Sequence, residues 1–125
     1  MDHKGIIKYF YEVVVSQNRL EDLFKFISED CVLRTGEKEI LIGVDGMKQH
    51  LLVLRETYPD YTMKIVRQYT ADDYVISEFV MKGTHKGNFA GITPTNQVLE
   101  ITGVDIDKVI DGRIVEHGGA ANTFE

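Results

Sequence analysis

Hydrophobic positions recur at the spacing of an α-helix over three stretches in the first half of the chain. The first stripe consists of Ile6, Ile7, Phe10, Val13 and Val14. The other two consist of Leu20, Leu23, Phe24 and Ile27, and of Met47, Leu51, Leu54 and Tyr58. Asn18 and Asp45 have side chains that cap helix N-termini, and Pro59 ends the third helix because its ring cannot continue the hydrogen-bond ladder.

After Pro59 the pattern changes to the alternation of β-strands. One strand is predicted before the third helix, over residues 31–35. Four are predicted after Pro59, over residues 61–69, 75–85, 97–109 and 113–120. Helices followed by antiparallel strands predict an α+β fold, with N-terminal helices packed on a strongly bent, mainly antiparallel sheet. The chain is interpreted as a single domain over residues 1–125. Helices that cover one face of the sheet incompletely leave a pocket.

Composition narrows the classes of partner. The chain has 20 acidic residues against 14 lysines and arginines, a net charge of −6, which argues against binding to nucleic acid or to an anionic membrane. Its apolar runs are far shorter than the roughly 20 residues that span a bilayer. Cys31 is the single cysteine, so no intrachain disulfide can form, and this suits the reducing cytoplasm, which is the location we expect.

Five segments, taken in their order and spacing, resemble one protein family. They are Gly43-Val44-Asp45-Gly46, Tyr58-Pro59-Asp60, Gly83-Thr84-His85-Lys86-Gly87 with Phe89, Gly91-Ile92-Thr93-Pro94-Thr95, and Val104-Asp105-Ile106 leading to Asp111-Gly112-Arg113-Ile114-Val115-Glu116-His117. Together they resemble the SnoaL-like polyketide cyclases of the NTF2-like superfamily. The resemblance extends roughly from Leu20 to His117.

The resemblance implies a cone-shaped α+β barrel of the NTF2-like, or cystatin-like, type, with a deep apolar pocket and often a homodimer formed through the sheet. It also implies ring closure of an aromatic polyketide methyl ester by intramolecular aldol addition, without a metal or a cofactor. The acid/base group that it implies is a carboxylate on the final strand, two positions after a strand histidine. In this chain the histidine is His117, but the acidic position is occupied by Gly119.

Asp105 is the carboxylate that we expect to replace the missing acid. It stands in a strand between Val104 and Ile106, and a half-buried carboxylate has a raised pKa, which suits a general base. Cross-strand groups lie only about 5 Å apart, so Asp105 can act in place of a residue on the last strand. The alternative is that Asp105 faces solvent.

The turn at Asp111-Gly112 decides whether Asp105 meets His117. A two-residue loop pairs Ile110 with Arg113 and turns His117 to the face opposite Asp105, whereas a three-residue loop sets the two side chains directly opposite each other. We favour the three-residue loop because it brings two proton-active groups together. A purely structural hydrogen bond between them is the alternative.

Other chemistry-bearing residues give weaker signals. His85 has the parity of the apolar strand face, so it either faces the pocket mouth or caps the following loop. His50 lies at the flank of the third helical stripe and is expected to be a surface or boundary residue. No histidine pair has helical metal-ligand spacing and no Gly-x-Ser-x-Gly elbow occurs, so neither a metal site nor a serine triad is expected. The expected pocket wall and lid comprise Phe24, Met47, Leu51, Leu54, Tyr61, Phe79, Phe89 and Ile92.

These features predict a cyclase-type enzyme that acts on a small hydrophobic molecule. Asp105 would remove a proton α to a carbonyl, and His117 or His85 would stabilise or protonate the resulting oxyanion. The same pocket would suit isomerisation or hydrolysis. Two alternatives stay open: a non-catalytic protein that binds a hydrophobic ligand, which Gly118-Gly119 favours, and a dimeric interaction domain.

Overall fold

The computed structural model describes residues 1–88 and 93–121. Helix α1 spans His3–Tyr9 and continues directly into a π-helical segment, Phe10–Val15; a 3₁₀ segment follows at Leu20–Lys25. Helix α2 spans Gly43–Thr57. The strands are β1 (Ile27–Thr35), β2 (Lys38–Leu41), β3 (Thr62–Ala71), β4 (Tyr74–Thr84), β5 (Val98–Ile110) and β6 (Arg113–Ala121).

The strands form one six-stranded sheet in the order β2-β1-β6-β5-β4-β3. Neighbours are antiparallel except for β1 and β6, which run parallel. The predicted α+β class and the mainly antiparallel sheet are therefore confirmed. Over the described residues the sheet is not closed, since β2 and β3 are its two edges. The barrel that the resemblance implied is thus an open one.

The helices pack on one face of the sheet and enclose the core. Strand β4 shows how the sequence directs this. Val75, Phe79 and Met81 are buried, as is Ser77 on the same face, whereas the residues that alternate with them are more exposed. The most completely buried apolar side chains come from every layer and include Ile7, Phe10, Val14, Leu23, Ile27, Met47, Val75, Val109 and Ile114. Burial of each side chain of this size contributes roughly 1.5–3 kcal/mol.

Both predicted helix caps are wrong. Asn18 has φ +55 and lies in the turn before the 3₁₀ segment, whose flanking residue is Arg19. Helix α2 begins at Gly43, so Asp45 lies within its first turn instead of preceding it. Gly43 has φ +58, and a Cβ atom there would lie 2.8 Å from the carbonyl oxygen of Glu29. The helix begins where glycine allows the backbone to approach β1 closely.

The β5–β6 hairpin has a two-residue turn, so the three-residue loop that we favoured is wrong. Ile110 pairs with Arg113, which leaves Asp111-Gly112 as the loop. Its two residues have φ +51 and +79. Two positive φ values in succession define the hairpin turn whose twist matches that of the flanking strands, and Asp-Gly is a preferred sequence for it.

A bulge follows this turn and shifts the register of β6 by one residue. Val109 pairs with Ile114, but Lys108 pairs with Glu116, so Val115 has no partner on β5. A shift of one residue moves side chains to the opposite face of a strand. The rest of β6 therefore presents to the helices the side chains that a regular two-residue hairpin would turn outward.

Candidate functional site

Three polar side chains meet where β5 and β6 pass beneath the N-terminal helix. Asp107 pairs with His117 across the strands, and Nδ1 of His117 lies 2.7 Å from Oδ1 of Asp107. The Tyr11 hydroxyl donates to Oδ2 of Asp107 at 2.7 Å, and its oxygen lies 3.2 Å from Nδ1 of His117. Asp107 is completely buried, so its charge depends on these two partners for compensation.

The π-helical segment places Tyr11 in this group. The amide of Ser16 donates to the carbonyl of Tyr11, five residues earlier, in place of the α-helical bond to the fourth residue back. Four of the six side chains in this wide turn are buried: Phe10, Tyr11, Val14 and Val15. π-helical turns are rare and occur frequently at functional sites.

A cavity of about 240 Å³ lies between the helices and the sheet beside these groups. Its described lining is mostly apolar and includes Phe10, Met47, Leu51, Phe79 and Met81. The polar lining residues are Tyr11, His50, Tyr58, Asp105 and His117. The cavity thus combines an apolar wall with a small number of titratable groups, which is the usual composition of a ligand site.

His117 is a cation at neutral pH. Burial lowers the pKa of His117, but the charges of Asp107 and Asp105 and the hydrogen bond to Asp107 outweigh burial and raise that pKa to about 9. Nδ1 is engaged with Asp107, whereas Nε2 makes no hydrogen bond to a residue in the described ranges. The ring lines the cavity, so His117 has an N–H group to offer to a ligand.

The Tyr11 hydroxyl remains protonated over the whole physiological range. Burial, followed by the charges of Asp105 and Asp107, raises the pKa of Tyr11 well above its ordinary value. A protonated phenol donates its hydrogen, and the acceptor here is Asp107. Tyr11 therefore supplies one of the hydrogen bonds that satisfy the buried Asp107 carboxylate.

Asp105 is the carboxylate that borders the cavity. It lies two residues before Asp107 on β5, so both face the helices. Burial raises the pKa of Asp105 to about 7; His117 and Tyr11 oppose this rise, and Asp107 adds to it. A carboxylate with this pKa is partly ionised at neutral pH and is a stronger base than an ordinary aspartate.

Gly119 leaves the space that Asp105 occupies. The two residues are cross-strand partners. A Cβ atom at position 119 would lie 2.5 Å from Oδ1 of Asp105 and 2.3 Å from the carbonyl oxygen of Val104. A side chain at this position would displace the Asp105 carboxylate. Position 119, at which the resemblance implied an acid, thus has no side chain. The carboxylate of Asp105 on the adjacent strand lies against it.

The predicted wall residues fall into three groups. Met47, Leu51, Leu54 and Phe79 line the cavity. Phe24 and Tyr61 do not line it, so the prediction is wrong for these two residues. Phe24 is 55% exposed, because the tighter turn of the 3₁₀ segment changes the face that it presents. Tyr61 packs against Arg55, with 4.0 Å between the guanidinium carbon and the ring centroid. Phe89 and Ile92 lie outside the described residues.

His85 lies beyond the end of β4 and does not line the cavity. Its backbone N–H donates to the carbonyl of Gln97, and its carbonyl accepts from the N–H of Asn96. Its ring is buried, with Nδ1 3.3 Å from Oγ1 of Thr95 and the ring centroid 5.8 Å from that of Tyr58. The sequence left two positions open for His85, at the pocket mouth or as a cap of the loop after the strand. The structure places it at the loop.

The sequence interpretation missed Tyr11 and Asp107. It predicted His50 correctly as a surface or boundary residue but gave it no link to the cavity. Asp107 shares the strand parity of Asp105, and His50 follows Met47 by three residues on α2, so spacing offered a signal in both cases. His50 is exposed and also borders the cavity. Burial and the charge of His117 lower the pKa of His50, which is therefore neutral near pH 7.

Over residues 1–88 and 93–121, no group of three or more histidine, cysteine, aspartate or glutamate side chains is arranged to hold a metal ion. Within the same ranges, none of the helices has the length and apolar character needed to cross a membrane.

Comparison with known proteins identifies the family. The model of the SnoaL-like polyketide cyclase family matches residues 6–124. No curated protein gives a significant match. Among solved structures, IdmH of Streptomyces antibioticus, named as a candidate polyketide cyclase, is 26% identical with a TM-score of 0.80, and the match covers 98% of this chain and 93% of IdmH.

Two further structures show the fold alone. A SnoaL-like polyketide cyclase from Agrobacterium tumefaciens has a TM-score of 0.85 at 10% identity, over 98% of this chain and 93% of that one. AclR of Streptomyces galilaeus, named as a candidate hydroxylase, has a TM-score of 0.83 at 22% identity, over 98% of this chain and 90% of AclR. The family match covers nearly the whole chain, and the protein therefore belongs to the SnoaL-like polyketide cyclase family.

Proposed function

We propose that the protein is a cyclase-type enzyme that removes a proton α to a carbonyl group in a small hydrophobic molecule. One observation carries the proposal: a single apolar cavity is bordered by a carboxylate with a pKa of about 7 and an imidazolium with a pKa of about 9. Between these pH values Asp105 is mainly ionised and His117 mainly protonated. Those are the states that a general base and a general acid require. Membership of the family supports the same reaction class.

The proposed reaction begins with proton transfer from the α carbon to Asp105. The electron pair of the broken C–H bond moves toward the carbonyl oxygen and forms an enolate, to which Nε2–H of His117 donates a hydrogen bond. In a substrate with a second carbonyl group, the enolate carbon forms a bond to that carbonyl carbon, and the new alkoxide takes the proton from Nε2. Proton exchange with solvent then removes the proton from Asp105 and returns one to His117.

Asp107 and Tyr11 act in this scheme through His117 and are positioning residues. Asp107 fixes Nδ1 at 2.7 Å and thereby directs Nε2 away from itself. Tyr11 holds the other carboxylate oxygen of Asp107 at 2.7 Å. A histidine oriented by a buried carboxylate keeps both its proton and its direction, which a donor to a developing oxyanion needs.

The test is deuterium exchange at the α carbon, measured by NMR in D₂O with small aromatic ketones and β-keto esters. Asp105→Asn removes the base without changing its size, so we expect exchange to fall by about 10²–10⁴-fold, the usual contribution of a general base. Binding of the ketone should persist. Asp111→Asn makes the same chemical change in the exposed hairpin turn and should leave exchange unaltered. Wild-type exchange in Asp105→Asn would contradict the proposal.

A non-catalytic protein that binds a hydrophobic ligand is the second candidate. The mostly apolar lining of the cavity and the absence of a side chain at Gly119 favour it. In that case the wild-type protein would bind a ketone without exchanging its α protons, and Asp105→Asn would alter neither property. The exchange experiment therefore separates the two candidates.

A further inference from the structure

The volume of the cavity limits the size of its occupant. Pockets for drug-sized ligands measure about 300–1,000 Å³, whereas this cavity measures about 240 Å³. An apolar cavity of roughly 150 Å³ holds one benzene ring. At the same volume per atom, the cavity described here accommodates about ten non-hydrogen atoms, which corresponds to two fused six-membered rings.

The cavity wall is polar at one end of β5 and apolar at the other. Asp105 and Ile101 line it from positions four residues apart, about 13 Å along the strand. Ile101 pairs with Met81 on β4, and Met81 pairs with Met63 on β3, so three apolar side chains form a row across three strands. His117 lies at the Asp105 end. A ligand aligned with β5 thus meets proton-active groups at one end and flexible thioethers at the other.

Phe79 occupies the wall between these ends. It pairs across the strands with Gly103, and a Cβ atom on Gly103 would lie 2.5 Å from Cζ of Phe79. Because position 103 has no side chain, the aromatic ring lies directly on the backbone of β5. An aromatic ring in this place offers a stacking surface to a planar ligand.

From this volume and polarity we infer that the substrate is a planar ketone or ester of one or two rings. Its enolisable carbon lies beside Asp105, and its apolar end contacts the row of Ile101, Met81 and Met63. A polyketide of three or four fused rings exceeds the volume of about 240 Å³ that the cavity provides, so part of it would have to lie outside. The position of the enolisable carbon rests on the proposed function, whereas the size limit rests on the geometry of the cavity.

Two ketones of different size test the inference. 2-Tetralone has two rings and an acidic CH₂ group next to its carbonyl, and anthrone is a three-ring ketone with an acidic CH₂ group. Binding is measured by calorimetry, and exchange of the CH₂ protons is followed by NMR in D₂O on the same samples. We expect 2-tetralone to bind and to exchange above the buffer background. Anthrone should bind at least tenfold more weakly and should not exchange above that background.

Variants that enlarge the cavity sharpen the test. Met81→Ala and Leu54→Ala each shorten a lining side chain, and either should improve binding of anthrone relative to 2-tetralone by at least tenfold. Leu54 is the less buried of the two, so its truncation costs less stability. Cys31→Ala is the matched control, because Cys31 is buried in the core but does not line the cavity. Melting temperatures establish that each variant is folded.

The outcomes separate the size limit from the proposed chemistry. Equal affinity of the wild-type protein for both ketones overturns the size limit, and continued exchange of 2-tetralone would still support the base. Binding of 2-tetralone without exchange overturns the role of Asp105 and leaves the size limit intact. An unchanged affinity ratio in both folded cavity variants shows that the ketones bind elsewhere, and it overturns the inference.

Discussion

Asp107 is the residue on which the charge of the site depends. It is completely buried and contacts both Tyr11 and His117, whereas Asp105 contacts the cavity. Two carboxylates on one strand face thus have different environments. Asp107 is hydrogen-bonded on both oxygens, whereas burial raises the pKa of Asp105 to about 7. When the environments of two neighbouring carboxylates differ in this way, their pKa values differ, and the two groups can take different roles at neutral pH.

The dependence of exchange on pH tests this division. With Asp105 as base and His117 as donor, the rate should rise through about pH 7, where Asp105 loses its proton, and fall through about pH 9, where His117 loses its own. Asp107→Asn removes the main charge that raises the pKa of His117, while burial still lowers it, so the alkaline limb should move to lower pH. NMR titration of the His117 ring should show the same downward shift.

A surface pair provides the control for this substitution. His3 and Asp73 also form a histidine–aspartate contact, with 3.1 Å between Nε2 and Oδ1, but both side chains are substantially exposed. Asp73→Asn should leave the titration of His117 and the alkaline limb unchanged. If Asp107→Asn leaves them unchanged as well, Asp107 does not set the charge of His117, and the positioning role is wrong.

At the scale of elements, Arg55 joins α2 to the π-helical segment that contains Tyr11. Its Nη2 donates to the carbonyl of Val15 at 2.9 Å, and its Nη1 donates to the carbonyl of Tyr61 at 3.1 Å. The guanidinium also stacks on the Tyr61 ring. The Val15 carbonyl, at the end of the π-helical segment, also accepts from the amide of Asn18, so Arg55 adds a second hydrogen bond at this helix end.

Replacement of this guanidinium should loosen both elements. Arg55→Lys keeps the charge but removes the planar donor pair and the stacking, so we expect a loss of about 2 kcal/mol in the free energy of unfolding, measured with urea. Arg67→Lys is the control: Arg67 is 62% exposed and pairs with Glu78 on the sheet surface, where an ion pair contributes about 0–1 kcal/mol. Equal losses in the two variants would show that Arg55 is an ordinary surface residue.

The same scale shows what the sequence can predict. Periodicity indicated three helical stretches, five of the six strands and their boundaries to within a few residues, because alternation and helical stripes are local properties. The contact between Asp107 and His117 depends on the bulge at Val115, which has no partner on β5. The residues around Val115 do not indicate a bulge. Tyr11 lay within a predicted helix but outside its apolar stripe, and its inward position depends on the π-helical turn.

At the scale of the whole molecule, the two faces of the sheet differ in their cover. The inner face packs against the helices, whereas the outer face carries Val66 and Ile106, which are 49% and 44% exposed. Val66, Val80 and Val104 line a shallow groove of about 550 Å³, and Val104 is shared with a neighbouring depression that contains Ile106. Contiguous exposed apolar surface of this kind is typical of an interface.

We expect a second copy of the chain to cover this face, as the resemblance implied. Light scattering coupled to size-exclusion chromatography should give twice the chain mass of 14.2 kDa. Ile106→Lys places a charge at the centre of the face and should yield the monomer, whereas Val53→Lys, at an exposed position of α2, should not. The cavity lies on the other face of the sheet, so the Ile106→Lys monomer should retain wild-type exchange. A wild-type protein that is monomeric at all concentrations would contradict the pairing of two chains through the sheet.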